Sequence, residues 1–287
     1  MSEVEHILPV HNLLGEGPVW SVEEQALYWV DIERNCFNHY IPATGVYEKI
    51  DVGVAIGVLA LRTSGGLVMA TKKGFAFWDN NSTELRYIAN PEADRPHLRF
   101  NDGAVDSSGR FWAGSMGSPG EGTLYRLDPD GSVHAMVPDV STPNGIGWSP
   151  DNTIMYFTDS EPRIIYAFDY DAATGNIANR RNFIEVPEEV GTPDGLAIDS
   201  QGYIWDACWD GAKIVRYTPN GTVDRIIQIP ALRPTSCVFG GSNMDELYIT
   251  SASTGLSDEQ LKQYPFSGDV FRLRAGITGP DKFKFAG

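Results

Sequence analysis

Six stretches of this chain repeat one another. From Gly103 the sequence reads GAVDSSGRFWAGSMG and then GTLYRLDPDG. From Gly145 it reads GIGWSPDNTIMYFTDS and then RIIYAFDYDAATG, and from Gly195 GLAIDSQGYIWDACWDG and then KIVRYTPNG. The start of the chain matches, with GPVWSVEEQALYWVDI from Gly17 followed by CFNHYIPATG. So does GVLALRTSGGLVMATKKG from Gly57, followed by FAFWD. A looser sixth copy opens at Cys237 as CVFGGSNMDELYITSAS and resumes, after an insertion, at GDVFRL. A period of roughly 40 to 50 residues marks a repeat architecture and governs every local assignment. Inside each copy apolar and polar residues alternate with period two, the strand signal, and Gly, Asp and Asn punctuate the turns. Several short strands per copy and six copies predict an all-β fold, a six-bladed β-propeller with four-stranded antiparallel blades. Residues 1–287 then form a single propeller domain. VEHILPV, Val4 to Val10, belongs to no copy and is predicted to pair as the outer strand of the last blade, closing the ring. The insertion LSDEQLKQY, Leu256 to Tyr264, leaves room for one or two helical turns.

In a propeller the first strand of each blade borders the central channel. The residue before the Gly that opens that strand, or before its counterpart Cys237, is Glu16, Ile56, Asp102, Asn144, Asp194 and Ser236. Five of these six carry polar oxygen, and the register predicts them near one end of the channel. Read alone, TPNG and TPDG are turn signals: Pro presets φ, Asn and Asp tolerate the left-handed region, and Gly accepts positive φ. A turn has no need of a Glu, yet Glu16 stands in the same register in GEGP. Carboxylates crowded around a narrow channel repel one another unless a cation or protons intervene. Two acids and an amide carbonyl are hard oxygen donors suited to a divalent ion, with open positions left for water or substrate. Hydrogen bonding of Asp102 or Asp194 to turn amides is the alternative.

Composition narrows the rest. A net charge of −16 repels phosphate backbones and anionic lipid surfaces, so neither nucleic acid nor a membrane is an expected partner. Cys36, Cys208 and Cys237 are far apart and form no Cys-x-x-Cys pair, which suits a reducing compartment. No basic stretch followed by an apolar one opens the chain, and the longest nearly apolar run, Val54 to Leu61, is too short to span a bilayer. A cytoplasmic monomer is expected. AGSMG lacks the Gly-x-Ser-x-Gly spacing, so Ser115 reads as a strand-end residue rather than a nucleophile. None of His6, His11, His39, His97 and His134 forms the paired spacing of a zinc hydrolase. Asn80, Asn81 and Asn220 begin Asn-x-Ser/Thr triplets that carry no meaning without a secretory signal.

Four segments in order, LLGEGPVW, RFNDGAVDSSGRFWAGSM, TPNGIGWSPD and TPDGLAIDSQGYIWDACWDG, resemble the senescence-marker-protein-30, gluconolactonase and regucalcin family. The likeness runs over nearly the whole chain and includes STGLSDEQL late in it. It implies a six-bladed propeller with one divalent cation at the channel mouth, be it Ca, Zn, Mn, Mg or Fe. The implied ligands are Glu16, Asn144 and Asp194, the same three that the register selects. Arg99 and Asn101 in RFND match the residues that hold sugar-lactone hydroxyls, and Asp102 borders the same pocket behind the ligands. Vertebrate members carry an acidic residue in the loop after a Gly-Ser/Thr-Met motif. Here GSMGSPGEG aligns Pro119 with it and places Glu121 two residues later, as the candidate substrate contact. The implied reaction is hydrolysis of a sugar (aldono-)lactone, such as gluconolactone or a pentonolactone, to the aldonic acid. Asp194 would serve as general base as well as ligand, with Asp102 as the alternative base. A metal-dependent organophosphate or ester hydrolase, or a non-catalytic calcium-binding propeller, are the other activities this scaffold accommodates.

Overall fold

The computed structural model describes residues 4–79 and 84–287, so the triplets at Asn80 and Asn81 lie outside the described residues. Six four-stranded antiparallel sheets surround a central channel as a six-bladed β-propeller. The innermost strands are Gly15–Ser21, Ile56–Leu61, Arg99–Val105, Pro143–Trp148, Thr192–Ile198 and Arg233–Gly240, in blades 1 to 6. The insertion within blade 6, between Glu246–Ala252 and Val270–Arg274, carries one helix, Asp258–Gln263, started by a capping box between Ser257 and Gln260. Among the described residues no helix is long and apolar enough to cross a membrane.

Each blade is packed between two neighbours and buries both faces: in blade 3 Phe111 and Ala113 pack on blade 2, and Trp112 and Leu124 on blade 4. Trp112 and Trp205 are fully buried, and each is tied by its Nε1–H to an acid six residues earlier. Asp106 accepts from Trp112 at 2.9 Å and from the Tyr170 hydroxyl at 2.7 Å. Asp199 accepts from Trp205 at 3.0 Å and from Arg216 Nη2 at 2.6 Å. The repeated DSSGRFW and DSQGYIW are therefore structural staples, in which a buried charge is fully hydrogen-bonded.

TPNG and TPDG are not turns. Pro143–Gly145 and Thr192–Gly195 lie inside innermost strands, and the ladder to the next strand shifts register there, between Pro143 and Ile146 and between Pro193 and Leu196. The ladder also shifts near this point in the other four innermost strands, at positions that differ by a residue or two. A bulge re-aims side chains, here toward the channel. The glycines answer to close approach rather than to positive φ. A Cβ on Gly145 would lie 2.5 Å from Leu196 N, and one on Gly195 would lie 2.1 Å from Ser236 Oγ and 2.8 Å from Ser236 Cα. Gly195→Ala is expected to cost about 3 kcal/mol, because the channel wall has nowhere to move. A fall in the urea midpoint at unchanged m-value checks this.

Two devices join the ends of the ring. Glu5–Leu8 pairs antiparallel with Val270–Arg274 as the outer strand of blade 6. His6 Nε2 and the His11 backbone N–H each reach Asp269 at 2.8 Å. The second device has no repeat signal in the sequence. The tail beyond Arg274 crosses the floor of the propeller, linking Thr278 O to Ser200 N at 2.9 Å and Ala286 N to Gly109 O at 3.0 Å. Phe285, 1 % exposed, sits among the core side chains of blades 2 and 3.

Candidate metal and substrate site at the channel mouth

The mouth is the end of the channel where the innermost strands begin. Acids at the blade hairpins hold those beginnings. Asp31 accepts from the Leu13 and Leu14 N–H groups at 3.0 and 3.1 Å, just ahead of Glu16. Asp159 accepts from Ser141 and Thr142 N–H at 3.1 and 2.8 Å, just ahead of Asn144. A cavity of about 480 Å³ opens there, within the usual range for small-molecule sites. Glu16, Arg99, Asn101, Asn144 and Asp194 line it, from blades 1, 3, 4 and 5.

A chain of amides fixes the orientation of Asn144. Arg99 Nη1 donates to Asn101 Oδ1 at 2.7 Å, and Asn101 Nδ2 donates to Asn144 Oδ1 and to Pro143 O, each at 2.8 Å. Asn144 Nδ2 donates to Ser160 Oγ at 2.7 Å, and Ser160 Oγ donates to Pro193 O at 2.6 Å. These two bonds fix which way the Asn144 amide faces, with its oxygen toward Asn101 and its nitrogen toward Ser160. Ser160 follows the second strand of blade 4 and nothing in the repeat marks it.

Glu16 and Asp194 are both 4 % exposed, and Asp102 is 6 % exposed. Burial, and then the charge of Asp102, pushes the Glu16 carboxyl up to about 8, against the pull of the Gly17 N–H and Arg99. Burial and the neighbouring acids Glu16, Asp102 and Asp206 hold Asp194 well above the carboxylate range. Asp206 is a member of this cluster that the register cannot find, because it lies on the second strand of its blade. Its Oδ1 is 3.4 Å from the Asp194 N–H, and burial pushes its carboxyl well up. An acid in the middle of IWDACW, an otherwise apolar strand, is the signal that could have pointed to it.

The channel register divides in two. Glu16, Asn144 and Asp194 line the mouth, whereas Asp102 and Ser236 line a smaller cavity further in. In blade 3 the bulge leaves both Asn101 and Asp102 outside the ladder, so consecutive side chains separate, Asn101 to the mouth and Asp102 inward. Asp102 Oδ1 accepts from Gly103 N at 2.7 Å, and burial pushes its carboxyl up to about 6. Glu121 stands outside the lining of the mouth cavity. Its side chain is 42 % exposed, accepts from Ser118 N at 2.9 Å, and lies 3.3 Å from His97 Nε2. The Ser118 N–H holds its carboxyl below the usual range. Ser115 is buried and donates to Glu92 Oε1 at 2.5 Å, as a strand-end residue.

Among the described residues no group of three His, Cys, Asp or Glu is placed to hold a metal. A metal at the mouth would instead rest on two carboxylates and an amide. The donor chemistry fits: two acids raised by burial and by neighbouring carboxylates, with an amide oxygen lining the same cavity, suit a hard divalent cation.

A profile of the family described as SMP-30/Gluconolactonase/LRE-like region matches residues 14–253. The chain belongs to this family. Among relatives of this SMP-30/gluconolactonase protein, the regucalcin of Danio rerio is 36% identical over 292 residues, covering 99% of each chain. The pentonolactonase XacC of Haloferax volcanii is 38% identical over 291 residues, covering 98% of this chain and 97% of the relative. A crystal structure described as a calcium-binding protein, regucalcin, from Agrobacterium tumefaciens superposes with a TM-score of 0.92 at 29% identity. It covers 96% of this chain and 95% of the other. The four segments that carry the family likeness contribute all five mouth-lining residues named above.

Proposed function

We propose that this protein is a divalent-metal-dependent lactonase that opens sugar lactones to aldonic acids. The observation that carries this is the meeting, in one cavity of about 480 Å³, of oxygen donors from blades 1, 4 and 5 with a guanidinium and an amide from blade 3. A relative named as a pentonolactonase, similar over nearly the whole chain, supports it. Glu16, Asn144 and Asp194 would hold the ion. When bound, it would supply Lewis-acid polarisation of the lactone carbonyl.

The side chains have distinct tasks. Arg99 Nη1 is held by Phe100 O at 3.0 Å and by Asn101 Oδ1, which leaves Nε and Nη2 to donate to ring hydroxyls. Asn101 has spent both N–H donors, so it can only accept from a hydroxyl through Oδ1. Together they orient the ring for attack. Asp194 takes the proton of the attacking water as the new C–O bond forms at C1. The ring C–O bond then breaks, and that proton passes to the departing ring oxygen. Burial and the neighbouring acids raise the Asp194 carboxyl in the metal-free chain, and a bound cation would draw it back down while leaving its second oxygen to take the proton. Asp102 does not line the mouth, which favours Asp194 in this role.

Arg99→Ala is expected to raise KM for gluconolactone by about 10- to 100-fold while lowering kcat much less, the loss of one or two charge-assisted hydrogen bonds made before the reaction. A pH-stat assay measures both constants. The same assay, run on gluconolactone, a pentonolactone and an organophosphate ester, tests the function. Turnover of a lactone that survives exhaustive chelation would end the metal-dependent reading. Turnover of the phosphate ester alone would replace the substrate class.

A further inference from the structure

The mouth site leaves one buried acid without a task, Asp102, and the tail brings one cation to the axis of the ring. Asp102 lines an inner cavity of about 30 Å³, enough for one or two waters, together with Ser236, Cys237 and Lys282. A second cavity of about 100 Å³ opens on the floor of the propeller, and Lys282 lines that one too. Lys282 thus stands, with Ala104, Val105, Ile146 and Phe283, in the wall shared by the inner cavity and the floor.

Its position is set from both sides. Three residues before it, Gly279 N donates to Met244 O at 2.9 Å, and a Cβ on Gly279 would strike Phe239 at 2.2 Å. Three residues after it, Phe285 N donates to Leu61 O at 2.9 Å and the ring is buried. The tail is thus pinned three residues to either side of Lys282, which keeps that residue beneath the inner cavity. Burial has the largest influence on Lys282 and lowers its ammonium below the ordinary 10.5, and the charges of Asp102 and then the Cys237 thiol pull it back up. Lys282 in turn draws the Asp102 carboxyl back down. Asp102 is also the acid that acts most strongly on Glu16.

We propose that Lys282 is the resident counter-cation of the channel, a positioning residue that offsets Asp102 across the inner cavity and so sets how negative the channel is where Glu16 and Asp194 stand. Inside a narrow, water-poor channel such a charge acts at longer range than it would on the surface. Its first consequence concerns only Lys282 and Asp102. Its second, on cation affinity, rests on the proposed metal site.

The test uses full-length protein. In chelator-treated samples, Lys282→Met is expected to lower Tm by several degrees in the wild-type background and hardly at all in Asp102→Asn, with Lys282→Arg close to wild type. Strictly additive losses would overturn the pairing. In calorimetric titration with Mn²⁺, Lys282→Met is expected to bind the ion several-fold more tightly, because a nearby positive charge has gone, and Lys282→Arg to bind as wild type does. A purely structural lysine would leave affinity unchanged or weaken it, and either result overturns the effect on the site. If wild-type protein takes up no Mn²⁺, the metal reading fails, while the melts still decide the Lys282–Asp102 pair.

Discussion

Asp194→Asn is expected to abolish divalent-ion binding and to cut lactone turnover by at least about 10³-fold, the scale seen when one member of a concerted catalytic set is removed. The metal-free variant should nonetheless be more stable than the metal-free parent. Asp194 is buried beside Glu16, Asp102 and Asp206, and every one of those acids opposes its charge. Asn keeps the volume and removes the repulsion, so the pair of effects has opposite signs: stability up, binding and activity down. A residue with a merely structural role would lose both together. Calorimetric titration, the pH-stat assay and thermal melts with and without a divalent ion measure the three quantities. An Asn variant that binds the ion as the parent does would sink both the ligand assignment and the mechanism.

The second large effect is a fall in the stability of the metal-free protein as pH rises from about 4.5 to about 8. Burial and Asp102 carry the Glu16 carboxyl from its ordinary 4.5 up to about 8, and burial carries Asp102 from 3.8 up to about 6. In that window the folded chain holds protons that the unfolded chain has released. The stability these groups confer is fully present below their unfolded values and is lost as pH climbs through the folded ones. For Glu16 alone the shift corresponds to roughly 5 kcal/mol, and since the acids interact their titrations are shared rather than summed. A bound divalent ion favours the ionised forms, so the fall should shrink or vanish with saturating metal, and apparent metal affinity should rise over the same range. Thermal melts at half-unit pH steps, in chelator and in excess Mn²⁺, provide the comparison. A curve in chelator that is flat or rises with pH contradicts it.

Much of the architecture could be read before any coordinates. Alternation with period two inside six copies specified strands and their number, because a blade's two faces demand it along every strand. The family likeness could be read too, since it resides in contiguous segments. The mouth was legible only in part. Glu16, Asn144 and Asp194 share a register, but so do Asp102 and Ser236, and those two line the inner cavity. The register locates a residue along its strand. It does not say to which side a bulge turns it.

What the sequence determined by itself is therefore what is periodic: the propeller and its innermost strands. The tertiary structure alone decided that TPNG and TPDG are bulged strands rather than turns, that Asp206 stands under Asp194, that Glu121 stays on its own loop, and that the tail delivers Lys282 to the channel floor. The physical reason is that each is decided by neighbours the local pattern does not record: Asp206 reaches Asp194 through strand pairing inside blade 5, Glu121 is held by Ser118 of its own loop, and the close approach of Ser236 to Gly195 and of Leu61 to Phe285 comes only when blades and tail pack together.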